Sequence, residues 1–218
     1  SEFLLHNSIL LDNLGALSRN RPKDPLKGFY TWIVLRPQLF KENWRDILTL
    51  IRHGFYRAKV WQTTSSTPNE LNAFVSLNAY CYFIQKDSSF IADAENFISQ
   101  FLTVEEMHCV YYPNTYTRYF LMSRVLAFSR NKGLRKRFLP TLVNPEKLTD
   151  MELSCFILTY RNLDKKLDAL YINALATRQQ LDGSFNKDEF FCHMDSMIWR
   201  SPGFNTALAL NAITTHFK

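Results

Sequence analysis

The sequence predicts an all-α protein, an (α/α) toroid or barrel of alternating inner and outer helices. Three observations carry that expectation. Apolar residues recur at helical spacing along most of the chain, with no sustained period-two alternation and no Asn-Gly hairpin. Some helical stretches are apolar on nearly every side while their neighbours keep a polar face, which separates interior helices from surface ones. The interior stretches start near Asn69, Asn114 and Asn205, and Thr149 opens another helix in the longest gap. Spacings of roughly 45 residues suit stacked helix pairs and are too long for a coiled coil.

The totals set the frame. At 218 residues the chain can bury one substantial core, so a single domain over 1–218 is expected. Hydrophobic residues at 46% against 21% charged place it among globular proteins. With 18 Phe and 10 Tyr, the aromatics serve either ordinary core packing or an aromatic-lined cavity. The net charge of +6 is concentrated at Arg130, Lys132, Arg135, Lys136 and Arg137. Such a run is a solvated helix end, or it meets phosphates or an anionic membrane surface. No zinc-finger spacing or aromatic-basic RNA signature accompanies it, which disfavours nucleic acid. Cys81, Cys109, Cys155 and Cys192 are scattered without a C-x-x-C pair, as in a reduced, cytoplasmic protein. No uncharged apolar run reaches the roughly 18 residues of a membrane span. The start, SEFLLHNSILL, lacks the basic region of a signal peptide.

Taken in order, Leu5, Ile9, Leu10, Leu14 and Leu17 make an amphipathic opening helix, and Trp44, Ile47, Leu48, Ile51 and Phe55 make another stripe. Thr67-Pro68-Asn69-Glu70 reads as a capping box with Pro in the first turn, opening an inner helix over 71–84. Phe90, Ala94, Phe97, Ile98 and Phe101 form its amphipathic outer partner. Pro113 starts the next inner helix. Thr149-Asp150-Met151-Glu152 is a second capping box, ahead of Leu153, Phe156, Ile157 and Tyr160. Leu167, Leu170, Tyr171, Ala174 and Leu175 then form an outer helix stopped by Asp182-Gly183-Ser184, where glycine frees the backbone and the polar side chains close a turn. A last inner helix restarts after Pro202-Gly203 and is small and apolar over 204–213.

These residues resemble a family. ALATRQQLDGSF is similar to the repeat of terpenoid cyclases in which a helix ends in Q-x-x-x-G-x-W, with Phe185 in place of Trp. GFNTALALNAI is similar to the closing inner helix of those cyclases and of protein prenyltransferase β subunits. YYPNTYTRYFLMSR and PNELNAFVSLNAYCYF resemble the corresponding inner helices of small bacterial squalene-cyclase-like or prenyltransferase-like proteins. The likeness covers 67–218. It implies a toroid whose inner-helix N-termini face a cavity for an isoprenoid chain. At 218 residues such a ring is short, so it is incomplete or completed by another chain.

The family's chemistry carries over in part. Class II cyclases place a proton-donating Asp in an Asp-x-Asp-Asp-Thr motif, and alignment with PNELNA puts Glu70 there, with Pro68 and Leu71 in place of the flanking acids. Glu70 is thus either a desolvated acid or the capping partner of Thr67. The zinc prenyltransferases use Asp, Cys and His, where this chain has Asp182, Ser184 and Asn205, so no metal site is expected. Cys192, His193 and Asp195, and the pair His108-Cys109, read as chance clusters rather than ligand sets. There is no D-D-x-x-D motif, Walker loop, G-x-G-x-x-G or G-x-S-x-G. No cofactor is implied beyond Mg2+ accompanying a diphosphate substrate.

Two readings follow. In the first, the chain is an isoprenoid-binding protein with degenerate catalytic motifs, in which Glu70 is the acid and Tyr111, Tyr112, Tyr116, Trp199, Asn72 and Asn205 line the substrate. In the second, it is a non-catalytic toroid that binds a protein partner. Peripheral contact with a membrane stays open under both.

Overall fold

The computed structural model describes residues 72–101, 112, 114–193 and 197–214, with the side chains of 101 and 191–199 left aside. The chain divides into two compact units, Ser1–Asp87 and Ser88–Lys218.

Within the described part of the first unit lies α1 (Ala73–Lys86). Its N-cap is Asn72, whose side chain accepts from the amides of Phe74 and Val75 at 3.0 and 3.1 Å. The helix therefore starts later than the capping box over 67–70 predicts; Thr67, Pro68 and Glu70 lie outside the described residues. Phe74, Leu77, Tyr80, Cys81, Phe83 and Ile84 are buried, and no residue from 73 to 84 is exposed.

The second unit is helical with one short hairpin. Its elements are α2 (Phe90–Phe101), α3 (Thr115–Leu126), α4 (Lys132–Arg137), a 3-10 turn (Pro145–Lys147), α5 (Asp150–Asn162), α6 (Ala169–Ala176), β1 (Glu189–His193), β2 (Met197–Arg200) and α7 (Pro202–Thr214). The two strands pair antiparallel with a register shift between Glu189 and Phe191. This hairpin is a small addition to an otherwise helical unit, where the sequence shows almost no strand signal: 190–192 is Phe-Phe-Cys, a run without the alternation that marks a half-buried strand.

The centre of this unit is α5. From Asp150 to Tyr160 every residue except Glu152 is buried. Its buried hydroxyls bond back to its own backbone, Ser154 to the Asp150 carbonyl and Thr159 to the Cys155 carbonyl, both at 2.7 Å. Small side chains there let α3 approach closely. Asn114 meets Glu152 at 2.7 Å, Thr117 meets Cys155 at 4.0 Å, and Ser123 meets Asn162 at 3.0 Å. The partners are 38, 38 and 39 residues apart. A constant separation means that α3 and α5 run parallel and in step.

On the other flank, α7 follows the same direction. Asn205 in its first half donates to the carbonyls of Asn186 and Asp188. The Asp188 carboxylate in turn accepts from Met151 in the first turn of α5. At the far end, Arg161 reaches the Asn211 carbonyl. Three neighbouring parallel helices need return elements, and α4 and α6 occupy the connections. The described residues thus hold parallel helices joined by shorter return elements.

α7 departs from expectation on one face. Asn205, Leu208, Ala209 and Ala212 are buried, but Phe204 and Leu210 are 40% and 41% exposed. An apolar sequence on all sides does not guarantee that all sides are covered. Likewise Leu170 of α6 is exposed, whereas Tyr171, Ala174 and Leu175 are buried.

Candidate functional site

The N-terminal ends of α3, α5 and α7 gather at one edge of the second unit, and of the predicted site residues Tyr112, Tyr116 and Asn205 lie near it. Asn114 caps α3, its side-chain oxygen accepting from Tyr116 and Thr117 at 2.9 and 3.1 Å. Its amide nitrogen is left to donate to Glu152. Thr149 caps α5 in a full capping box: the Glu152 amide donates to Thr149 Oγ1, and the Thr149 amide donates to Glu152 Oε2 at 2.9 Å. Both Glu152 oxygens are therefore engaged, and the carboxylate ties two helix starts together.

Beside it a polar lock secures the first turn of α5. Asp150, 5% exposed, accepts from the backbone and side-chain amides of Asn186 at 3.1 and 2.9 Å. Arg178 Nη1 lies 3.5 Å from Asp150 and donates to the Leu148 carbonyl at 2.6 Å, while Nη2 donates to the Pro145 carbonyl at 2.9 Å. A guanidinium with fixed, fork-shaped donors suits such a cluster of acceptors. The sequence reading missed this lock. Its only local signal is an acid in the first turn of a capped helix.

The turn after α6 forms as its residues predict. Gly183 has φ of +84°, a conformation that disfavours side chains. The Ser184 amide and hydroxyl both donate to Asp182, at 2.9 and 2.6 Å, and Gln179 Nε2 donates to the Gly183 carbonyl at 2.9 Å. These Ser184 bonds hold the Asp182 carboxyl below its ordinary pKa. Phe185, 1% exposed, drops into the core from this turn, and its amide donates to Thr206 of α7.

The aromatics divide into two groups. Phe156 is packed by Tyr116, Tyr160 and Tyr171, with ring centroids 5.9, 4.8 and 5.2 Å away. The hydroxyls of Tyr160 and Tyr171 donate to the carbonyls of Pro140 and Val143. Burial raises the Tyr160 pKa, with a smaller contribution from Tyr171; for Tyr116 burial raises it first, then Glu152 and Tyr119. This group is core. The second is a row at the helix starts: Tyr112 meets Phe190 edge-on at 5.8 Å, and Phe190 meets Phe204 at 4.3 Å. None of the three is buried. Phe190 and Phe204 were missed in the sequence, where each looked like one more core aromatic.

The remaining candidates are distributed as follows. Asn72 caps α1. Asn205 is buried at the edge just described, and its Oδ1 has no hydrogen-bond partner among the described residues. Trp199 pairs by backbone with Phe191 in the hairpin. Glu70, Tyr111, His108, Cys109 and Asp195 lie outside the described residues. No group of three metal-ligating residues occurs among the described residues. Cys155 is fully buried and its thiol is pushed up to about 12 by burial, which Thr117 partly offsets and Glu152 reinforces. With Cys81, it is a small hydrophobe rather than a nucleophile. No helix among the described residues is long and apolar enough to cross a membrane.

Arg135 of the basic run is also accounted for, since it pairs with Asp164 at 2.6 Å and bonds the Asn162 carbonyl. No protein-family model matches the chain, nor does any curated protein or solved structure.

Proposed function

We propose that the chain binds an isoprenoid-like apolar molecule at the N-terminal edge of its parallel helices, as a terpenoid-cyclase-like or prenyltransferase-like protein with degenerate catalytic motifs. The observation that carries this reading is the partly exposed aromatic row Tyr112–Phe190–Phe204 beside the starts of α3 and α7. Such rings offer apolar area and π-faces that attract cations. The buried oxygen of Asn205, unpartnered among the described residues, adds a polar feature to the same edge. On this reading the alternating helices belong to an (α/α) toroid. Glu70 is the candidate acid for any protonation, because the resemblance puts PNELNA on the cyclases' proton-donor motif.

The test is native mass spectrometry with and without farnesyl and geranylgeranyl diphosphate, followed by product extraction. Retained ligand supports binding, and a cyclised product that disappears in Glu70→Gln makes Glu70 its acid. Absence of binding to either chain sinks the isoprenoid reading. The second reading, a non-catalytic module for a protein partner, draws on the exposed Phe204 and Leu210 of α7 and on the commitment of Asn72, Asn114 and Glu152 to helix starts. It predicts loss of partner capture, rather than of prenyl binding, in Leu210→Ser.

A further inference from the structure

The basic run over 130–137 plays no part in the aromatic edge. It belongs to a stretch that stands out from the fold: from Ala127 to Arg137 only Ser129 and Leu134 are buried, Arg135 is half-buried, and every other residue is exposed. α4 stands on Leu134 and Phe138, which are buried one turn apart. At about 3.6 residues per turn, Lys132 and Lys136 fall on the side opposite Leu134. Phe128 is 41% exposed in the turn between α3 and α4, two residues before Arg130.

Arg135 is paired with Asp164, but Arg130, Lys132, Lys136 and Arg137 have no ion pair among the described residues. Arg137 lies over the Phe138 ring, 5.4 Å from its centroid, a contact that orients the guanidinium and leaves its charge in place. Glu95 accepts from Ser129 in the same turn and sets one negative charge against these four cations. A solvated helix end does not account for the surplus. Cations suit the last turn of a helix, which explains Lys136 and Arg137, but they are unfavourable at its start. Lys132 is the first residue of α4, Arg130 precedes its N-cap Asn131, and no acid occupies the first turn. Positive charge at both ends of so short a helix is a strain on the fold that an external anion relieves.

We propose that the 127–137 ridge docks on an anionic lipid bilayer, with Phe128 at the boundary of headgroups and acyl chains and Arg130, Lys132, Lys136 and Arg137 among the phosphates. An exposed aromatic ring beside clustered cations joins the two forces that hold a protein at such a surface, apolar burial and attraction to anionic lipid. A nucleic-acid strand is held instead in a groove lined by several stacking rings. This stretch is a ridge, and Phe128 is its one aromatic residue. The surface is separate from the aromatic row and does not rest on the isoprenoid reading.

Flotation of the whole chain with phosphatidylcholine vesicles, with and without phosphatidylserine, tests this. Each cation near an anionic surface is worth about fivefold in affinity, so phosphatidylserine should tighten binding by about tenfold or more. Added salt should reverse the gain. Lys132→Glu/Lys136→Glu alters only exposed side chains and should lose about tenfold or more by the same reckoning. Phe128→Trp should add fluorescence over the parent that brominated acyl chains quench. Equal binding to the two kinds of vesicle, or undiminished binding of the double variant, would overturn the proposal. Added fluorescence untouched by brominated lipid would place the ring outside the bilayer and overturn it as well. A single-stranded oligonucleotide that displaces the vesicles and binds more tightly than they do would assign the surface to nucleic acid instead.

Discussion

Asn114 and Glu152 meet at 2.7 Å across the α3–α5 contact, and each already holds the start of its own helix. One carboxylate thus serves a capping box and a helix–helix hydrogen bond at once. Glu152→Ala removes both and leaves the Asn114 amide without its partner. The expected cost is about 2 kcal/mol, combining a cap of about 1 kcal/mol with a charge-assisted hydrogen bond. At about 2–4 °C per kcal/mol for a chain of this size, the thermal midpoint should fall by roughly 4–8 °C. Glu152→Gln should fall between, because an amide keeps one acceptor and turns a donor toward the other amide. Circular-dichroism melts of the three proteins check the order, and a Gln variant less stable than Ala would refute it.

Phe185 gives a packing prediction. Phe185→Ala should cost about 3–5 kcal/mol, as for other fully buried aromatics. The resemblance suggests Trp at this position, yet Phe185 is already 1% exposed, so Phe185→Trp should also destabilise, by about 1–3 kcal/mol of overpacking. Urea titration measures both. A Trp variant as stable as the parent would mean that the turn after α6 can yield to the larger ring.

What the sequence revealed here followed the range of the interaction. The Thr149–Glu152 box and the Asp182–Ser184 turn were readable because donor and acceptor lie within three residues. The start of α1 was misplaced because 67–72 holds two competing caps, and Asn72 offers an acceptor to two amides at once. The β1–β2 hairpin escaped notice because its apolar run shows no alternation. Arg178 and Asp150 lie 28 residues apart, and nothing in either neighbourhood announces the other. The aromatic row has the same character: composition supplied the rings, but only the fold decides that Phe156 is enclosed and Phe204 is not.

Cys155 carries a pH signature. Its thiol is raised from 9.0 to about 12 by burial. A raised folded pKa contributes stability that is fully present below the unfolded value and is lost as pH rises through the folded one. Stability should therefore decline from about pH 9 toward pH 12, and Cys155→Ala should remove that component of the slope. In the native protein at pH 8 iodoacetamide should leave Cys155 unmodified, while denatured chain reacts; peptide mass spectrometry reads the difference. Rapid native labelling would contradict the enclosed position.

Asp182 has the opposite sign. Its carboxyl is lowered from 3.8 by two bonds from Ser184, so its contribution to the turn is present above the ordinary carboxyl value and is lost as pH falls through the lowered one. Carboxyl-carbon NMR titration should place Asp182 below its ordinary value of 3.8, and Ser184→Ala should return it upward. An unchanged titration in Ser184→Ala would assign the shift to something other than that side chain.

The in-step run of α3 beside α5 bears on how such a chain reaches its native state. Contacts between them join residues 38 or 39 apart, and the α5–α7 contact spans 50. The entropy lost on closing a loop grows only with the logarithm of its length, so each helix added beside the last meets nearly the same barrier as the one before. Assembly of this kind proceeds by accretion onto a neighbour rather than by one long-range collapse, and stability accumulates interface by interface. Damage to one interface should accordingly loosen the pair it joins before it spreads along the row.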